Sequence, residues 1–175
     1  MTQETSIELK AIELLVLDVD GVLTDGHLIV HGDGSESKVF HTLDGHGIRM
    51  WRRAGLEVAL LSGRQSEPTE RRADQLEIPY VIQDCHFKLP ALEQLVAELD
   101  LQAANVAYIG DDLPDLPAIR FAGFGVATAN AVDEVKAHAD YVTTRSGGKG
   151  AVREVIEYIL KNSNRWQALM ERYLA

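Results

Sequence analysis

Cysteine, long apolar runs and positive charge are all scarce in this sequence. The single cysteine, Cys85, excludes an internal disulfide framework and is compatible with a reducing compartment. No apolar run approaches the roughly 20 residues of a membrane span. The first residues, MTQETSIELK, lack the basic and apolar segments of a signal peptide. The sequence therefore predicts a cytoplasmic protein without a membrane partner.

Acidic residues outnumber basic ones, 27 to 17, and the formal net charge is −10. This excess argues against general nucleic-acid binding, which usually requires a basic face. It also repels an anionic substrate mildly, so a bound metal ion or local arginine and lysine side chains must offset it. With 175 residues and 46% hydrophobic content, the chain is expected to form one domain over residues 1–175.

Short apolar runs that alternate with helical segments predict an α/β fold. Four runs are almost entirely apolar, as is typical of buried strands in a parallel sheet: 14–18, 57–61, 105–109 and 124–127. Shorter strands are predicted at 79–83 and 140–143. Helices are predicted at 45–54, 66–76, 88–99, 114–122, 131–139, 151–161 and 165–174. The expected architecture is a three-layer sandwich around a mainly parallel, Rossmann-like sheet.

Residues 27–41 are predicted to form a β-hairpin flap. Segments 27–30 and 38–41 flank the sequence HGDGSES, in which Asp33-Gly34 is a turn signal. Only this hairpin and one helix separate the first two predicted strands, and no insertion elsewhere is long enough to form a cap domain. A C-terminal tail, about 145–175, begins with a glycine-rich loop that is either functional or a flexible connector.

The segment Leu14 to Asp25, LLVLDVDGVLTD, carries the first polar break after a predicted strand. Alternation along an extended chain directs Asp18 and Asp20 to the same side at the carboxyl end of that strand. Two such carboxylates repel, and burial would force one to take up a proton unless a cation balances them. Gly21 lets the backbone turn sharply close to a ligand. The alternative is that these acids merely cap the following turn.

Three polar breaks, DxD, SGR and GDD, follow predicted strands and fall at the same edge of the sheet. Because ligands of parallel sheets bind beyond the carboxyl ends of the strands, the breaks predict one site there. Asp18 is suited to attack phosphorus and form an aspartyl-phosphate, and Asp20 to protonate the departing alkoxide. Asp18 and Asp111 can supply carboxylates to Mg²⁺. The alternative for Asp111 is helix capping.

Weaker signals accompany these acids. Ser62-Gly63 offers a hydroxyl and backbone N–H groups as a phosphate cradle, although such pairs are common in turns. Lys88 begins a predicted helix, where its positive charge opposes the helix dipole and so indicates a nearby anion. A solvated surface lysine is the ordinary alternative. Two further acids follow Asp111 and favour a metal-binding loop: Asp112 and Asp115.

The segments DVDGVLTD and GDDLPD, with Ser62 and Lys88 between them, resemble the four motifs of the haloacid dehalogenase-like phosphatase superfamily. The resemblance implies that Asp18 is the nucleophile and Asp20 the general acid/base. It implies that Mg²⁺ is held by three oxygen donors, from Asp18, the backbone carbonyl of Asp20, and Asp111. It further implies that the transferring phosphoryl group is bound by Ser62 and Lys88, with Asp112 and Asp115 in supporting roles.

Four segments resemble more narrowly the capless 3-deoxy-D-manno-octulosonate 8-phosphate phosphatases: TLDGHGI (42–48), LSGR (61–64), VAYIGDDLPDLP (106–117) and GGKGAVREV (147–155). This resemblance implies a homotetramer that acts on a small anionic sugar phosphate in lipopolysaccharide precursor synthesis. It also implies substrate contacts from several loops: Asp20, His41, Thr42, Leu43, Asp44, Gly45, Arg49, Ser62, Gly63, Arg64, Arg72 and Lys88.

Full exposure of a phosphoryl-transfer site to water would weaken the electrostatic interactions on which the reaction depends. A second chain is therefore expected to cover it, through the hairpin or the glycine-rich tail. Arg145, Lys149 and Arg153 are hypothesised to supply positive charge for a substrate carboxylate in a neighbouring site. Two alternatives to the main interpretation stay open. One is a phosphatase for a nine-carbon keto-sugar-acid 9-phosphate, and the other is a non-catalytic phospho-sugar-binding subunit.

Overall fold

A computed structural model describes residues 8–174. The strands, in chain order, are β1 (Leu14–Leu17), β2 (Ile29–Val30), β3 (Glu36–Ser37), β4 (Glu57–Leu61), β5 (Tyr80–Ile82), β6 (Val106–Gly110), β7 (Phe124–Ala127) and β8 (Tyr141–Val142). Six of them form one sheet in the order β5-β4-β1-β6-β7-β8. Every neighbouring pair in that sheet is parallel. β2 and β3 pair antiparallel as a separate hairpin.

Seven α-helices are present among the described residues: α1 (Thr42–Arg53), α2 (Glu67–Leu76), α3 (Lys88–Glu98), α4 (Leu116–Phe121), α5 (Asp133–Lys136), α6 (Ala151–Asn162) and α7 (Trp166–Leu174). Short 3₁₀ turns lie at Leu9–Ala11, Ala103–Asn105 and Leu113–Asp115. Within residues 8–174, no helix has the length and apolarity that a membrane crossing requires.

The large sheet separates two apolar cores because alternate strand residues face opposite sides. On one face, Leu15 of β1 packs in a core with Ile156 of α6. On the other face, Val16 packs in a core with Leu92 of α3. The predicted α/β three-layer sandwich without a cap domain is therefore confirmed. β1 lies between β4 and β6, so the crevice where the strand order reverses opens at the carboxyl end of β1.

Most element bounds lie close to those predicted, and the exceptions have local causes. α1 begins at Thr42, three residues early, because the His41 ring caps it by accepting a hydrogen bond from the Leu43 N–H at 3.2 Å. α5 covers only part of 131–139, because the Val132 N–H donates to the Asp111 carbonyl at 2.9 Å and holds the preceding segment as a loop. The hairpin pairs only two residues on each side.

Candidate active site

The carboxyl ends of three adjacent strands each deliver a polar segment. Asp18 follows β1, Ser62 follows β4, and Asp111 follows β6. The hydrogen bonds between β1 and β6 continue one residue beyond β1, where the Asp18 N–H donates to the Ile109 carbonyl at 3.0 Å. Because the strands are neighbours and parallel, the three loops meet at one edge of the sheet.

An acidic cluster lies at this edge, with carboxylate oxygens of Asp18, Asp111 and Asp115 all within 4.8 Å of one another. Lys88, the first residue of α3, reaches into the cluster. Its Nζ lies 2.7 Å from Asp18 Oδ1 and 2.6 Å from Asp115 Oδ1. The side chains of Lys88 and Asp115 are only 4% and 1% exposed. One buried ammonium therefore faces three carboxyl groups, which leaves an excess of negative charge when all three are ionised.

Asp115 organises this cluster through both of its carboxylate oxygens. Its Oδ1 also accepts a hydrogen bond from the Tyr108 hydroxyl at 2.7 Å. Its Oδ2 accepts hydrogen bonds from the backbone N–H groups of Asp111 and Asp112, at 3.0 and 3.2 Å. Gly110 leaves room for this contact, since a Cβ there would collide with the Asp115 side chain. Asp115 therefore fixes the loop that carries Asp111.

Burial and the mutual repulsion of the acids raise the pKa values in the cluster. Burial, with the negative charge of Asp115, raises the pKa of the Asp18 carboxyl to about 7. Burial and the charges of Asp18 and Asp115 raise the pKa of Asp111 to about 8. Burial by itself would lower the pKa of Lys88, but the two carboxylates beside it outweigh this effect and raise it. Additional positive charge would stabilise both ionised carboxylates.

The donor set suits a hard divalent cation. Carboxylate and carbonyl oxygens are the ligands that Mg²⁺ prefers in proteins, and the three acids, when ionised, carry more negative charge than Lys88 can balance. Gly21 is required beside it, because its φ is +90° and a Cβ would collide with the Asp111 carboxylate. The residues present therefore fit a magnesium ion.

Asp20 contacts a different set of side chains. Lys38 Nζ donates to both of its carboxylate oxygens, at 2.7 and 2.9 Å, and Arg64 Nε lies 3.6 Å away. The Lys38 side chain is 1% exposed, although it follows β3 of the hairpin. Lys38 was not predicted from the sequence. The letters of segment 36–40, ESKVF, show no alternation of apolar and polar residues that would single it out, and only the structure shows that Lys38 turns inward.

Ser62 and Gly63 lie at the end of β4, beside β1. Ser62 is buried, and its Oγ accepts a hydrogen bond from the Arg64 N–H at 3.3 Å. The Ser62 carbonyl accepts a hydrogen bond from the Cys85 N–H at 3.0 Å. This contact ties the end of β4 to the loop that leads into α3 and so helps to place Lys88.

The predicted substrate contacts at 41–45 surround the start of α1. The His41 ring caps the helix, and the next two residues are exposed. Asp44 is buried, and its carboxylate accepts hydrogen bonds from the backbone N–H groups of Gly150 and Arg153, at 3.3 and 2.8 Å. The Asp44 side chain therefore holds the amino end of α6 against α1.

The predicted contacts Arg49 and Arg72 lie between α1 and α2. Arg49 Nη2 donates to the Gln75 carbonyl at 3.1 Å. The Arg72 guanidinium lies over the Phe40 ring, 5.7 Å from its centroid. It also packs on Gly45, where a Cβ would collide with it. The structure thus places both arginines on the α1–α2 face, in contacts other than those of the acidic cluster.

The glycine-rich loop at 146–150 packs against the DVDG segment of the same chain. A Cβ at Gly147 would collide with the Gly21 carbonyl, so only glycine allows this approach. Asn130 links the two backbones: its Nδ2 donates to the Gly21 carbonyl at 2.9 Å, and its Oδ1 accepts from the Gly147 N–H at 2.6 Å. Asn130, which lies in the turn after β7, was not predicted from the sequence.

Known proteins have sequences similar to this chain. A family model for haloacid dehalogenase-like hydrolases matches residues 80–156. The 3-deoxy-D-manno-octulosonate 8-phosphate phosphatase of Escherichia coli strain K12 is 44% identical over 149 residues, which cover 85% of this chain and 79% of that protein.

Solved structures agree over nearly the whole chain. A probable YrbI family phosphatase from Pseudomonas syringae has a TM-score of 0.93 and 50% identity, with 95% of both chains covered. A 3-deoxy-D-manno-octulosonate 8-phosphate phosphatase from Moraxella catarrhalis, in complex with magnesium, phosphate and KDO, has a TM-score of 0.92 and 44% identity, with 94% of this chain and 95% of that chain covered. The chain therefore belongs to the 3-deoxy-D-manno-octulosonate 8-phosphate phosphatases, a family of haloacid dehalogenase-like hydrolases.

Proposed function

We propose that this chain is a magnesium-dependent phosphomonoesterase that hydrolyses 3-deoxy-D-manno-octulosonate 8-phosphate to the free sugar acid and phosphate, in lipopolysaccharide precursor synthesis. The observation that carries the proposal is the buried grouping of Asp18, Asp111 and Asp115 around Lys88. The relative from E. coli and the M. catarrhalis complex support the choice of substrate.

The first step transfers the phosphoryl group to Asp18. Lys88 occupies Oδ1 of this carboxylate, so we assign the attack on phosphorus to Oδ2. The bond from phosphorus to the sugar oxygen breaks, and Asp20 gives its proton to that oxygen. The products of this step are the free sugar acid and a phosphorylated Asp18.

The second step releases phosphate. Asp20, now ionised, takes a proton from a water molecule, and the water oxygen attacks phosphorus and displaces the Asp18 carboxylate. The side chains of Asp18 and Asp111 and the backbone carbonyl of Asp20 would hold Mg²⁺. When bound, the ion neutralises charge on the phosphoryl oxygens and on the attacking carboxylate.

The remaining predicted residues are proposed to bind substrate. Lys88, Ser62 and Gly63 hold the phosphoryl oxygens, with Asp112 and Asp115 supporting the loop of Asp111. Arg64 contacts the sugar acid, together with residues at the start of α1 and two arginines of α1 and α2. These residues are His41, Thr42, Leu43, Asp44, Gly45, Arg49 and Arg72. Arg64 has the strongest support, because its Nε already lies 3.6 Å from Asp20.

Replacement Asp18→Asn tests the enzymatic function. The variant should abolish magnesium-dependent hydrolysis of both the sugar phosphate and p-nitrophenyl phosphate, because an amide oxygen is a poor nucleophile. Circular dichroism should show that it remains folded. Asp74→Asn, an exposed acid on α2, is the matched control and should retain wild-type rates. Substantial residual activity in Asp18→Asn would contradict the assigned nucleophile.

Two measurements separate the alternatives. A comparison of kcat/KM for the eight-carbon 8-phosphate and a nine-carbon keto-sugar-acid 9-phosphate should favour the eight-carbon substrate. The reverse order would identify a nine-carbon phosphatase instead. Wild-type protein that binds a phospho-sugar but turns over no phosphate ester with Mg²⁺ would be a non-catalytic binding subunit.

We also propose that the chain forms a cytoplasmic homotetramer through the hairpin. Val30 and Val39 of the hairpin are 68% and 67% exposed, and exposed apolar patches mark interaction surfaces. A two-stranded hairpin is marginally stable by itself, so a second copy would stabilise it. Light scattering should give four times the mass of one chain, and Val30→Lys should lower that mass. A monomeric wild type would refute the assembly, and fractionation of cells tests the location.

A further inference from the structure

Lys38 connects the hairpin to the loop after β1. Its neighbour Val39 is 67% exposed, whereas the Lys38 side chain is 1% exposed and turned inward. A buried ammonium is costly unless it is paired. Its Nζ pairs with both oxygens of Asp20, at 2.7 and 2.9 Å. Contacts to both oxygens hold the carboxylate in place beside the hairpin.

The other restraint on the Asp20 carboxylate within residues 8–174 is weaker. Arg64 Nε lies 3.6 Å from it, the Arg64 side chain is 44% exposed, and its guanidinium also donates to Glu36 at 2.8 Å. Lys88, by contrast, contacts Asp18 and not Asp20. The two acids of the DVDG segment are thus oriented by different cations, one from α3 and one from the hairpin.

We infer that Lys38 is a positioning residue that orients the Asp20 carboxyl group for proton transfer, an inference that rests on the proposed function. Asp20 must face the sugar oxygen when the phosphoryl group leaves and a water molecule when phosphate is released. A protonated carboxyl keeps one oxygen without hydrogen, so Lys38 can retain one contact while the other oxygen carries the proton. The hydrogen bonds of Lys38 Nζ in the structure go to Asp20 and not to the nucleophile Asp18, so we assign Lys38 a positioning role.

Replacement Lys38→Met tests this inference, because it keeps the length of the side chain and removes its charge. The measured quantity is kcat/KM, which reports only the steps up to departure of the leaving group. For the sugar phosphate, kcat/KM should fall about 10-fold or more, because its alkoxide leaving group needs a proton. This loss is part of the roughly 100-fold or larger contribution that general acid catalysis usually makes. For p-nitrophenyl phosphate, whose leaving group needs little protonation, it should change less than about 3-fold.

A double-mutant cycle gives a second, independent readout. In an Asp20→Asn background, Lys38→Met should cause no further loss of kcat/KM on the sugar phosphate, because the group that it positions is already gone. Lys10→Met is the matched control, since Lys10 is exposed and precedes the amino end of β1. It should retain wild-type values for both substrates.

The outcomes separate the inference from the function on which it rests. Equal losses on both substrates, or losses that add to those of Asp20→Asn, would show that Lys38 is merely structural and overturn the inference. Unchanged kinetics would overturn it as well. If Lys38→Met does not fold, Lys38→Gln is measured by the same criteria. A wild type that hydrolyses neither ester with Mg²⁺ would instead refute the proposed function.

Discussion

Replacement of Asp115 by alanine is expected to destabilise the protein strongly, because this buried carboxylate accepts four hydrogen bonds. The donors are Lys88 Nζ, the Tyr108 hydroxyl and the backbone N–H groups of Asp111 and Asp112. Removing one partner of a buried ion pair costs about 3–5 kcal/mol. Lys88 keeps its contact with Asp18 at 2.7 Å, and repulsion within the acidic cluster decreases. The expected loss is therefore at the lower end, about 3 kcal/mol.

Urea unfolding followed by circular dichroism measures this loss. A change of about 3 kcal/mol corresponds to a decrease in Tm of about 6–12 °C for a chain of this size. Asp112→Ala is the matched control, because it removes a neighbouring but exposed acid that caps the 3₁₀ turn, at a cost of about 1 kcal/mol. If Asp115→Ala were no less stable than Asp112→Ala, Asp115 would not organise the cluster as we have argued.

Two further predictions concern the metal site. In EDTA, the free energy of unfolding should fall as the pH rises from about 5 to 8, because the raised pKa values of Asp18 and Asp111 make the folded state bind more protons than the unfolded state. Added Mg²⁺ should flatten this slope in urea titrations, and a flat profile already in EDTA would contradict the pKa values. Gly21→Ala should lower kcat by about 100-fold, because a Cβ would displace the Asp111 carboxylate. Gly34→Ala has a similar φ, +87°, with open space around its Cβ, so equal activities of these two variants would exclude the collision.

The sequence was most informative where apolar runs end at polar residues. The bounds of β4 and β7 agree with those predicted, because each run is continuous and a turn or loop follows it. The same breaks placed Asp18, Ser62 and Asp111 at one edge, since parallel strands carry their carboxyl ends to the same side. The proximity of Asp18 and Asp111 was therefore predictable from the local pattern, whereas the supporting role of Asp115 was implied only by the resemblance to a known superfamily.

Residues whose roles depend on distant partners could not be predicted in this way. Lys38 contacts Asp20 across 18 positions, and Asn130 contacts Gly21 across 109. Neither contact leaves a periodic pattern in the sequence. Tyr108 was hidden for another reason: it lies within the apolar run of β6, and only its hydroxyl reaches Asp115.

The inward and outward alternation after β3 has a mechanical consequence. Of two successive residues, Lys38 donates hydrogen bonds to Asp20, whereas Val39 exposes an apolar side chain to solvent. A displacement of residues 38–39 would therefore shift the Asp20 carboxylate, to which we have assigned the proton transfer. If a second copy covers the hairpin, as we propose, the contact between chains would also hold Asp20 in place, and dissociation on dilution should lower the turnover of each chain.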